Sequence, residues 1–270
     1  DALLDIAIVG GGATGVELAG SLAEMKRHII PKDFPDLDSK LMDIHLIQGA
    51  DRLLNNMSLK SSQSALNELR KMGVQVHLNS IVDRIENGSV VLSGGKEIHC
   101  GKVIWAAGIK AVQFKGLPET IYAKDGRIVV DECCKVNQLK DVFAIGDICF
   151  MQTNNYPNGL PGVAPVAIQQ ACYLADYLTD IHYVRKLRPF KYVDKGAMAT
   201  IGRNKAVLDF RLFHLHGLFA WMAWLLVHIY YLIGVRNKII VLINWIWSYV
   251  FYDQALRLNI KPYKSSGDIP

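Results

Sequence analysis

The feature that most constrains the fold of this chain is a glycine-rich turn between an apolar run and an amphipathic segment. Residues 6–9 (IAIV) are typical of a buried parallel strand, and Gly10, Gly12 and Gly15 follow with G-x-G-x-x-G spacing. In such a unit the glycines allow a tight turn, close approach of a pyrophosphate and close packing of helix on strand. The N-terminus of the following helix favours a phosphate. The sequence therefore predicts a dinucleotide-binding α/β domain.

The end of the second predicted strand bears on which dinucleotide is bound. Residues 44–47 (IHLI) are followed by Gln48, where dinucleotide-binding units usually carry an acidic residue for the adenine ribose. A glutamine can hydrogen-bond the ribose but has no charge that repels a 2′-phosphate, and Arg52 lies four residues further on. We therefore expect a weakened preference for NADH over NADPH. The alternative is that Gln48 merely lies on a surface loop.

The following residues complete a nucleotide-binding domain. Residues 58–72 predict a helix with one apolar face that ends at Gly73. Alternating, strand-like segments with glycine-containing turns come next and return to a buried strand within residues 96–108 (KEIHCGKVIWAAG). We assign residues 1–111 to an NAD(P)H-binding Rossmann domain that consists of a βαβ unit with an antiparallel insert.

Charge and cysteine content exclude some function classes. The net charge is +5, but no run of lysine and arginine is interleaved with aromatic residues, which argues against nucleic-acid binding and favours a membrane surface as the anionic partner. The cysteines show neither a CxxC motif nor metal-ligand spacing, so we expect reduced thiols and no metal site. They are Cys100, Cys133, Cys134, Cys149 and Cys172.

Two further segments carry candidate ligand-binding residues. Residues 142–145 (VFAI) predict a strand that ends on Gly146-Asp147, where a carboxylate can accept hydrogen bonds from ligand hydroxyls or cap a turn. A later amphipathic helix carries Gln169 and Gln170 on different faces. At least one of the two glutamines can therefore face a site, although glutamines on helices are usually solvated.

The C-terminal region is dominated by two apolar runs. Residues 217–235 form a nearly uncharged stretch of about the length that spans a bilayer, and residues 239–252 form a shorter one. We favour an interfacial membrane anchor and keep a spanning helix and a subunit interface as alternatives. The tryptophans and basic residues expected at the boundary between water and lipid are Trp221, Trp224, Trp245, Trp247, Arg236, Lys238, Arg257 and Lys261.

The motifs together resemble a known family. WAAGIKA at 105–111 and FAIGD at 143–147 are similar to the flavin-contacting motifs of flavoproteins with two dinucleotide-binding domains. GGATGVELAG, APVAIQQ, KGAMATIGR and the aromatic tail resemble the bacterial type II NADH dehydrogenases, which are non-proton-pumping NADH:quinone oxidoreductases. The resemblance covers essentially the whole chain. It implies an α/β fold in which a Rossmann-like NADH-binding domain is inserted in a split FAD-binding domain, followed by a helical membrane-binding segment, with the first FAD half absent from this chain.

The resemblance also implies roles for individual residues. Asp147 would bind the ribityl chain of FAD, Glu17 would lie beside the nicotinamide and flavin, and Lys195 would lie near the quinone-side face. Pro165 replaces a glutamine of the quinone-site segment, which puts one hydrogen bond to the quinone in doubt. The remaining flavin- and quinone-site positions are Gly108, Ala164, Gln169 and Gln170.

The resulting hypothesis is electron transfer from NADH through FAD to a quinone in the respiratory chain. The implied domains are residues 1–111 for NAD(P)H, 112–185 for the C-terminal part of the FAD-binding domain and 186–270 for membrane attachment. The implied partners are a quinone, the lipid at the cytoplasmic face of the cell membrane, where the protein is peripheral, and a second copy in a homodimer. The alternatives are a soluble flavoprotein reductase with another acceptor and a non-enzymatic module that binds NAD and docks on membranes.

Overall fold

The computed structural model describes residues 4–86, 88–180, 188–210 and 213–251. The chain forms two compact units, of which the first combines Asp1–Ala107 with Ala197–Pro270 and the second is Gly108–Gly196. The division expected from the sequence placed the C-terminal region in a domain of its own. In the structure that region instead packs on the nucleotide-binding fold.

A parallel four-stranded sheet forms the centre of the first unit. Its strand order is β3-β2-β1-β7, so the chain moves outward on one side of β1 and then crosses to the other, as in a Rossmann half. The predicted parallel sheet is therefore confirmed. The strands are β1 (Ile6–Val9), β2 (Ile44–Ile47), β3 (Gln75–His77) and β7 (Lys102–Trp105).

An antiparallel sheet of three strands covers one face of this parallel sheet. It comprises β4 (Val82–Glu86), β5 (Ser89–Leu92) and β6 (Glu97–His99). All four residues of β5 are buried, and Val90 and Leu92 pack with Ala7 and Ile47 of the parallel sheet in one apolar cluster. The insert predicted from the alternating pattern is thus present, and it seals the face opposite the helices.

The helices of the first unit begin and end where their sequence signals lie. Helix α1 (Ala13–Glu24) starts directly after Gly12, continues as a short π-helical segment and is followed by α2 (Ile30–Asp33). Helix α3 (Leu59–Lys71) is capped by Ser58, whose hydroxyl accepts a hydrogen bond from the N–H of Ser61. The predicted helix at 58–72 is therefore confirmed within one residue at each end.

A second antiparallel sheet, not foreseen from the sequence, joins the C-terminal region to these helices. It comprises β10 (Ala197–Gly202), β11 (Lys205–Asp209) and β12 (His214–Gly217). A Cβ atom on Gly20 of α1 would lie 1.7 Å from the carbonyl oxygen of Ile201, so only glycine permits this approach of β10. This close packing explains why the C-terminal region belongs to the first unit.

The second unit contains short strands and one long helix. Strands β8 (Ile128–Val129) and β9 (Cys149–Phe150) pair in parallel, and helix α4 spans Ala164–Asp180. The strand predicted at residues 142–145 is not a regular strand, because its described backbone pairing is a single isolated bridge between Phe143 and Lys135. That prediction was wrong because an apolar run becomes a strand only where a neighbouring strand completes its ladder.

Two apolar helices follow β12. Helix α5 (Leu218–Tyr231) packs on the C-terminal sheet through the buried Ala220, and α6 (Val235–Phe251) follows after a short turn at Gly234. Neither helix has the length and apolarity that a bilayer span requires, and no other helix among the described residues has them. Arg257 and Lys261, expected near the membrane boundary, lie outside the described residues.

Candidate functional site

The glycine turn has the geometry that a bound pyrophosphate requires. Gly10 has φ +117°, and a Cβ there would lie 2.8 Å from the backbone of Ala106, which directly follows β7. A Cβ on Gly15 would lie 1.8 Å from the carbonyl oxygen of Gly10, whereas a Cβ on Gly12 would meet no atom within 4 Å. Gly10 and Gly15 are therefore needed for packing, while Gly12 keeps the backbone open to a ligand.

The start of α1 is electrostatically suited to an anion. No side chain caps the helix at Gly12, and no acidic residue lies in its first turn. The N–H groups at the end of a 12-residue helix therefore keep their partial positive charge, which favours a phosphate. Of the predicted cofactor-binding glycines in this turn, Gly12 is half-buried, whereas Gly10 and Gly15 are buried.

Gln48 is half-buried and supports the glycine turn. Its Oε1 accepts a hydrogen bond from the N–H of Gly11 at 2.9 Å, and its Nε2 donates to the carbonyl oxygen of Arg52 at 3.2 Å. The guanidinium of Arg52 donates in turn to the carbonyl oxygens of Met57 and Asn55. Gln48 is therefore not merely a loop residue. It has a structural role, because its side chain orients the glycine turn beside the predicted ribose position.

Glu17 contacts the C-terminal sheet. Its Oε1 accepts a hydrogen bond from the N–H of Thr200 at 3.1 Å, and Glu24, two turns later, accepts one from the N–H of Arg203. Strand β10 lies at the edge of its sheet, where N–H groups need partners from outside the ladder. The two carboxylates of α1 supply these partners, a role that sequence reasoning did not assign to Glu17.

In the second unit, Asp147 lies on a short 3₁₀ turn with an exposed side chain. Gly146 precedes it at φ +70°, and a Cβ on Gly162 would lie 3.4 Å from its Oδ1. Within the described ranges its carboxylate accepts no hydrogen bond. The carboxylate is therefore free to accept hydrogen bonds from the hydroxyls of a ligand just before α4 begins.

Gln170 has a different role from the predicted one. It is completely buried, with 0% of its surface exposed. Its Oε1 accepts a hydrogen bond from the N–H of Gly146 at 2.7 Å, and its Nε2 donates to the sulfur of Cys149 at 3.5 Å. A side chain in this position cannot touch a quinone. Gln170 instead holds the turn that presents Asp147.

Gln169 points to another face of α4, as its position in the sequence predicted. Its amide makes two hydrogen bonds of 3.0 Å with the backbone of Val193, one as donor and one as acceptor. This pairing ties α4 to the segment that leads to Lys195, whose side chain is exposed. Ala164 is also exposed, at the first turn of α4, and Gly108 has φ +73° with open space on its Cβ side.

A histidine pair, with His45 on β2 buried and His77 on β3 half-buried, was missed by sequence reasoning. His45 Nδ1 lies 3.2 Å from His77 Nε2, and the Nζ atom of Lys96 lies 3.5 Å from His77 Nδ1. Burial, with Lys96 and His45 adding to its effect, lowers the pKa of His77 to about 4. Burial also lowers the pKa of His45, although Asp43 and Asp5 act against it. Both imidazoles are therefore neutral at pH 7.

Cys134 and Cys149 of the second unit are buried and are placed as structural thiols, whereas Cys133 is half-buried and Cys172 is exposed. Burial raises the pKa of Cys149 to about 11 and that of Cys134 to about 12. Thiols with such pKa values are poor nucleophiles at neutral pH. The cysteines of the chain are unpaired, as the sequence predicted.

The outer surface of α5 and α6 is apolar. On α5, Phe219 is 74% exposed and Leu226 is 68% exposed. The two residues lie on the same face of the helix, two turns apart. Three of the four C-terminal tryptophans are half-buried, and Trp221 lies against Tyr249 and Trp224 against Trp245. Their expected position at a lipid boundary stays a prediction. Trp247 is exposed, as expected.

Two family models match the chain. The model described as pyridine nucleotide-disulphide oxidoreductase matches residues 2–171. The model described as the NDH2 C-terminal domain matches residues 195–252. Together they cover both the glycine turn and the sheet and helices of the C-terminal region.

Curated relatives and solved structures agree with these matches. The type II NADH:quinone oxidoreductase NdhA of Mycobacterium tuberculosis is 33% identical over 90% of this chain and 53% of its own length. The mitochondrial internal alternative NAD(P)H-ubiquinone oxidoreductase A1 of Solanum tuberosum is 32% identical over 95% of this chain and 54% of its own length. The structure of Plasmodium falciparum NDH2 in complex with NADH matches with a TM-score of 0.84 at 21% identity, over 92% of this chain and 66% of that one. The chain spans about half the length of the curated relatives it matches.

Proposed function

This chain belongs to the pyridine nucleotide-disulphide oxidoreductase family, in the type II NADH dehydrogenase branch, and we propose that it acts in electron transfer from NADH through FAD to a quinone at a membrane surface. The observation that carries the proposal is the open glycine turn before α1. Gly12 leaves its backbone accessible, and the helix behind it has no cap and no acid in its first turn. This geometry favours the pyrophosphate of a dinucleotide.

The residues around the turn orient the nucleotide. Gln48 fixes Gly11 through its amide and adds no negative charge at the ribose position. Both NADH and NADPH therefore remain substrates in the proposal. Glu17 is kept as a candidate residue beside the nicotinamide, with one carboxylate oxygen already bound by the N–H of Thr200.

The second unit carries residues suited to FAD. Asp147 presents an exposed carboxylate that accepts no hydrogen bond from the described residues, which fits a ribityl chain with several hydroxyl donors. Gln170 keeps Gly146 in its left-handed conformation, and Gly108 leaves space on its Cβ side. Bound FAD would supply the redox chemistry, taking up a hydride and passing on two electrons. The protein supplies binding and orientation.

The proposed quinone-side residues lie on α4 and on the segment before β10. Ala164 and Lys195 are exposed, and Gln169 holds the backbone of Val193 close to α4. In the proposal, Lys195 donates a hydrogen bond to the quinone head group, while Gln169 keeps the lysine segment in place.

Membrane attachment is assigned to α5 and α6. Their exposed side chains are mainly apolar, with tyrosines and Trp247 among them, which suits an interfacial position in the bilayer. We place this attachment at the cytoplasmic face, where NADH is available. The homodimer implied by the family resemblance stays a prediction.

The test uses the full-length protein to which this chain belongs, purified in detergent, because the resemblance places the first FAD half outside this chain. NADH binding is measured by fluorescence titration, and the absorption spectrum is recorded after incubation with FAD and desalting. We expect saturable NADH binding and a flavin spectrum that bleaches on addition of NADH and returns on addition of a soluble quinone. Absence of NADH binding would contradict the proposal, because NADH is its electron donor. A protein that binds NADH but no flavin would leave only the non-enzymatic NAD-binding alternative.

The alternative of a soluble reductase is tested separately. Leu226→Glu places a charge on the exposed face of α5 and leaves Ala220, the buried residue of the same helix, unchanged. For a membrane enzyme we expect this variant to lose sedimentation with lipid vesicles while NADH binding is unchanged. A soluble reductase would show no vesicle binding in either form.

A further inference from the structure

Helix α6 is attached to the rest of the first unit by a narrow set of contacts. None of its residues from 235 to 250 is buried, and the half-buried ones are Lys238, Val241, Trp245 and Ser248. These four recur at spacings of three and four and so form a single stripe along the helix. Apolar packing along one stripe leaves the helix free to roll and tilt. Polar contacts at its ends must therefore decide how it is oriented.

Arg203, in the turn between β10 and β11, holds the C-terminal end of α6. Its guanidinium donates hydrogen bonds of 2.8 Å to the carbonyl oxygens of Ser248 and Tyr249. It also lies over the ring of Tyr249, whose hydroxyl donates to Asn204 Oδ1 at 3.1 Å. Carbonyls in the last turn of a helix lack an intrahelical donor and favour a cation. The planar fork of arginine reaches both carbonyls at once, which a lysine ammonium cannot do in the same way.

The same turn is fixed to the nucleotide-binding helix. The backbone N–H of Arg203 donates to Glu24 at the end of α1, and Thr200 is held in the same way by Glu17. The backbone of Arg203 is therefore anchored on α1, while its side chain is anchored on α6. A single residue connects the glycine-turn helix with the helix proposed to meet lipid.

A second cation holds the other end of α6. The Nζ atom of Lys238 donates to the carbonyl oxygen of Tyr230 at 3.0 Å and lies 5.6 Å from the centroid of its ring. Tyr230 lies in the last turn of α5. Lys238 therefore sets the spacing of α6 from α5, and Arg203 sets its orientation on the sheet.

We propose that Arg203 is the positioning residue that orients α6 so that its exposed face and that of α5 meet the lipid bilayer together. The proposal rests on the membrane attachment described under the proposed function. Apolar area alone does not produce interfacial binding, because the apolar faces of both helices must lie in the same plane to enter the bilayer surface together. The guanidinium is used inside the protein and does not itself contact lipid.

The test compares Arg203→Ala and Arg203→Lys with the unaltered chain. Amide hydrogen exchange in α6 is measured without lipid, and sedimentation with vesicles of phosphatidylcholine and phosphatidylglycerol is measured in parallel. We expect both variants to exchange α6 amides faster, and Arg203→Ala to bind vesicles about tenfold more weakly, equivalent to about 1.4 kcal/mol. NADH affinity should stay within about twofold in both, which shows that the fold is intact.

Arg84→Ala is the matched control, because the ion pairs of Arg84 are with Asp83 and Glu86 on its own strand, β4. We expect it to change neither measurement. If Arg203→Ala binds vesicles as the unaltered chain does, the proposal is overturned, whatever the exchange rates are. If the unaltered chain itself does not bind vesicles, the membrane attachment fails, and the failure belongs to the proposed function.

Discussion

The side-chain oxygen of Gln170 accepts a hydrogen bond from the backbone N–H of Gly146, with the two atoms 2.7 Å apart and the glutamine fully buried. Gly146 has φ +70° and directly precedes Asp147. The conformation of the turn that presents the exposed carboxylate is thus maintained from inside the second unit. Residues with no access to a ligand can in this way control its binding.

Replacing Gln170 tests that relationship. In Gln170→Leu the N–H of Gly146 loses its partner, which costs about 1–3 kcal/mol when the group stays buried. We expect a lower free energy of unfolding and weaker FAD binding, measured by urea titration and by flavin fluorescence. Gln63→Leu is the control, because Gln63 lies exposed on α3 and bonds only to Asn67 among the described side chains. Equal FAD affinity in Gln170→Leu and the control would refute the positioning role.

Substitution should affect ligand binding at Gly12 and protein stability at Gly15. Gly12 has φ −73° and open space on its Cβ side, so Gly12→Val should fold normally but obstruct the pyrophosphate. We expect NADH affinity to fall by at least about tenfold, or about 1.4 kcal/mol, without a change in the melting temperature. A Cβ at Gly15 would lie 1.8 Å from the carbonyl oxygen of Gly10, so Gly15→Ala should lower the melting temperature itself. A loss of stability in Gly12→Val would contradict the assignment.

The charge at position 48 should decide between the two nucleotides. Because Gln48 carries no charge, we expect NADPH to compete with NADH within about tenfold. Gln48→Glu keeps an acceptor for the N–H of Gly11 but repels a 2′-phosphate, so NADPH affinity should fall selectively. Arg52→Ala is the companion variant. Its guanidinium is bound to the carbonyls of Met57 and Asn55, so its removal should leave the ratio of the two affinities unchanged.

Acid should destabilise the first unit through the histidine pair. The pKa of His77 is lowered from 6.5 to about 4 by burial, Lys96 and His45, so the folded state binds fewer protons than the unfolded chain in this range. The stabilisation is complete above pH 6.5 and is lost as the pH falls toward 4. Asp43 and Asp5 act in the opposite direction on His45.

The measurement for this effect is urea unfolding at pH 7.5 and pH 5. We expect the unaltered chain to lose more stability between these values than His77→Gln, which cannot be protonated. His99→Gln, which replaces a histidine with an exposed side chain on β6 of the antiparallel insert, should behave like the unaltered chain. A pH dependence that is identical in His77→Gln and the unaltered chain would show that the pair does not contribute.

Much of the first unit could be predicted from local patterns. The apolar run at 6–9, the glycine spacing and the cap at Ser58 each determine a short stretch of backbone through neighbours in sequence. Asp147 was proposed for the same reason, because it follows a glycine at the end of an apolar run. Predictions failed where the local structure depends on pairing with another segment of the chain. Residues 142–145, for example, are not a regular strand because they lack a complete strand ladder.

The sequence by itself determined that this chain contains a dinucleotide-binding turn and an apolar, aromatic C-terminal region, since periodicity and glycine spacing are local properties. The tertiary structure alone decided that the C-terminal sheet packs on α1, that Gln170 faces inward and that Trp221 and Trp224 lie between the helices. Those outcomes depend on which surfaces come together, such as Gly20 against Ile201, and on which backbone N–H groups then need an acceptor. The pairing of Glu24 with Arg203 spans 179 positions of sequence, and no local pattern encodes it.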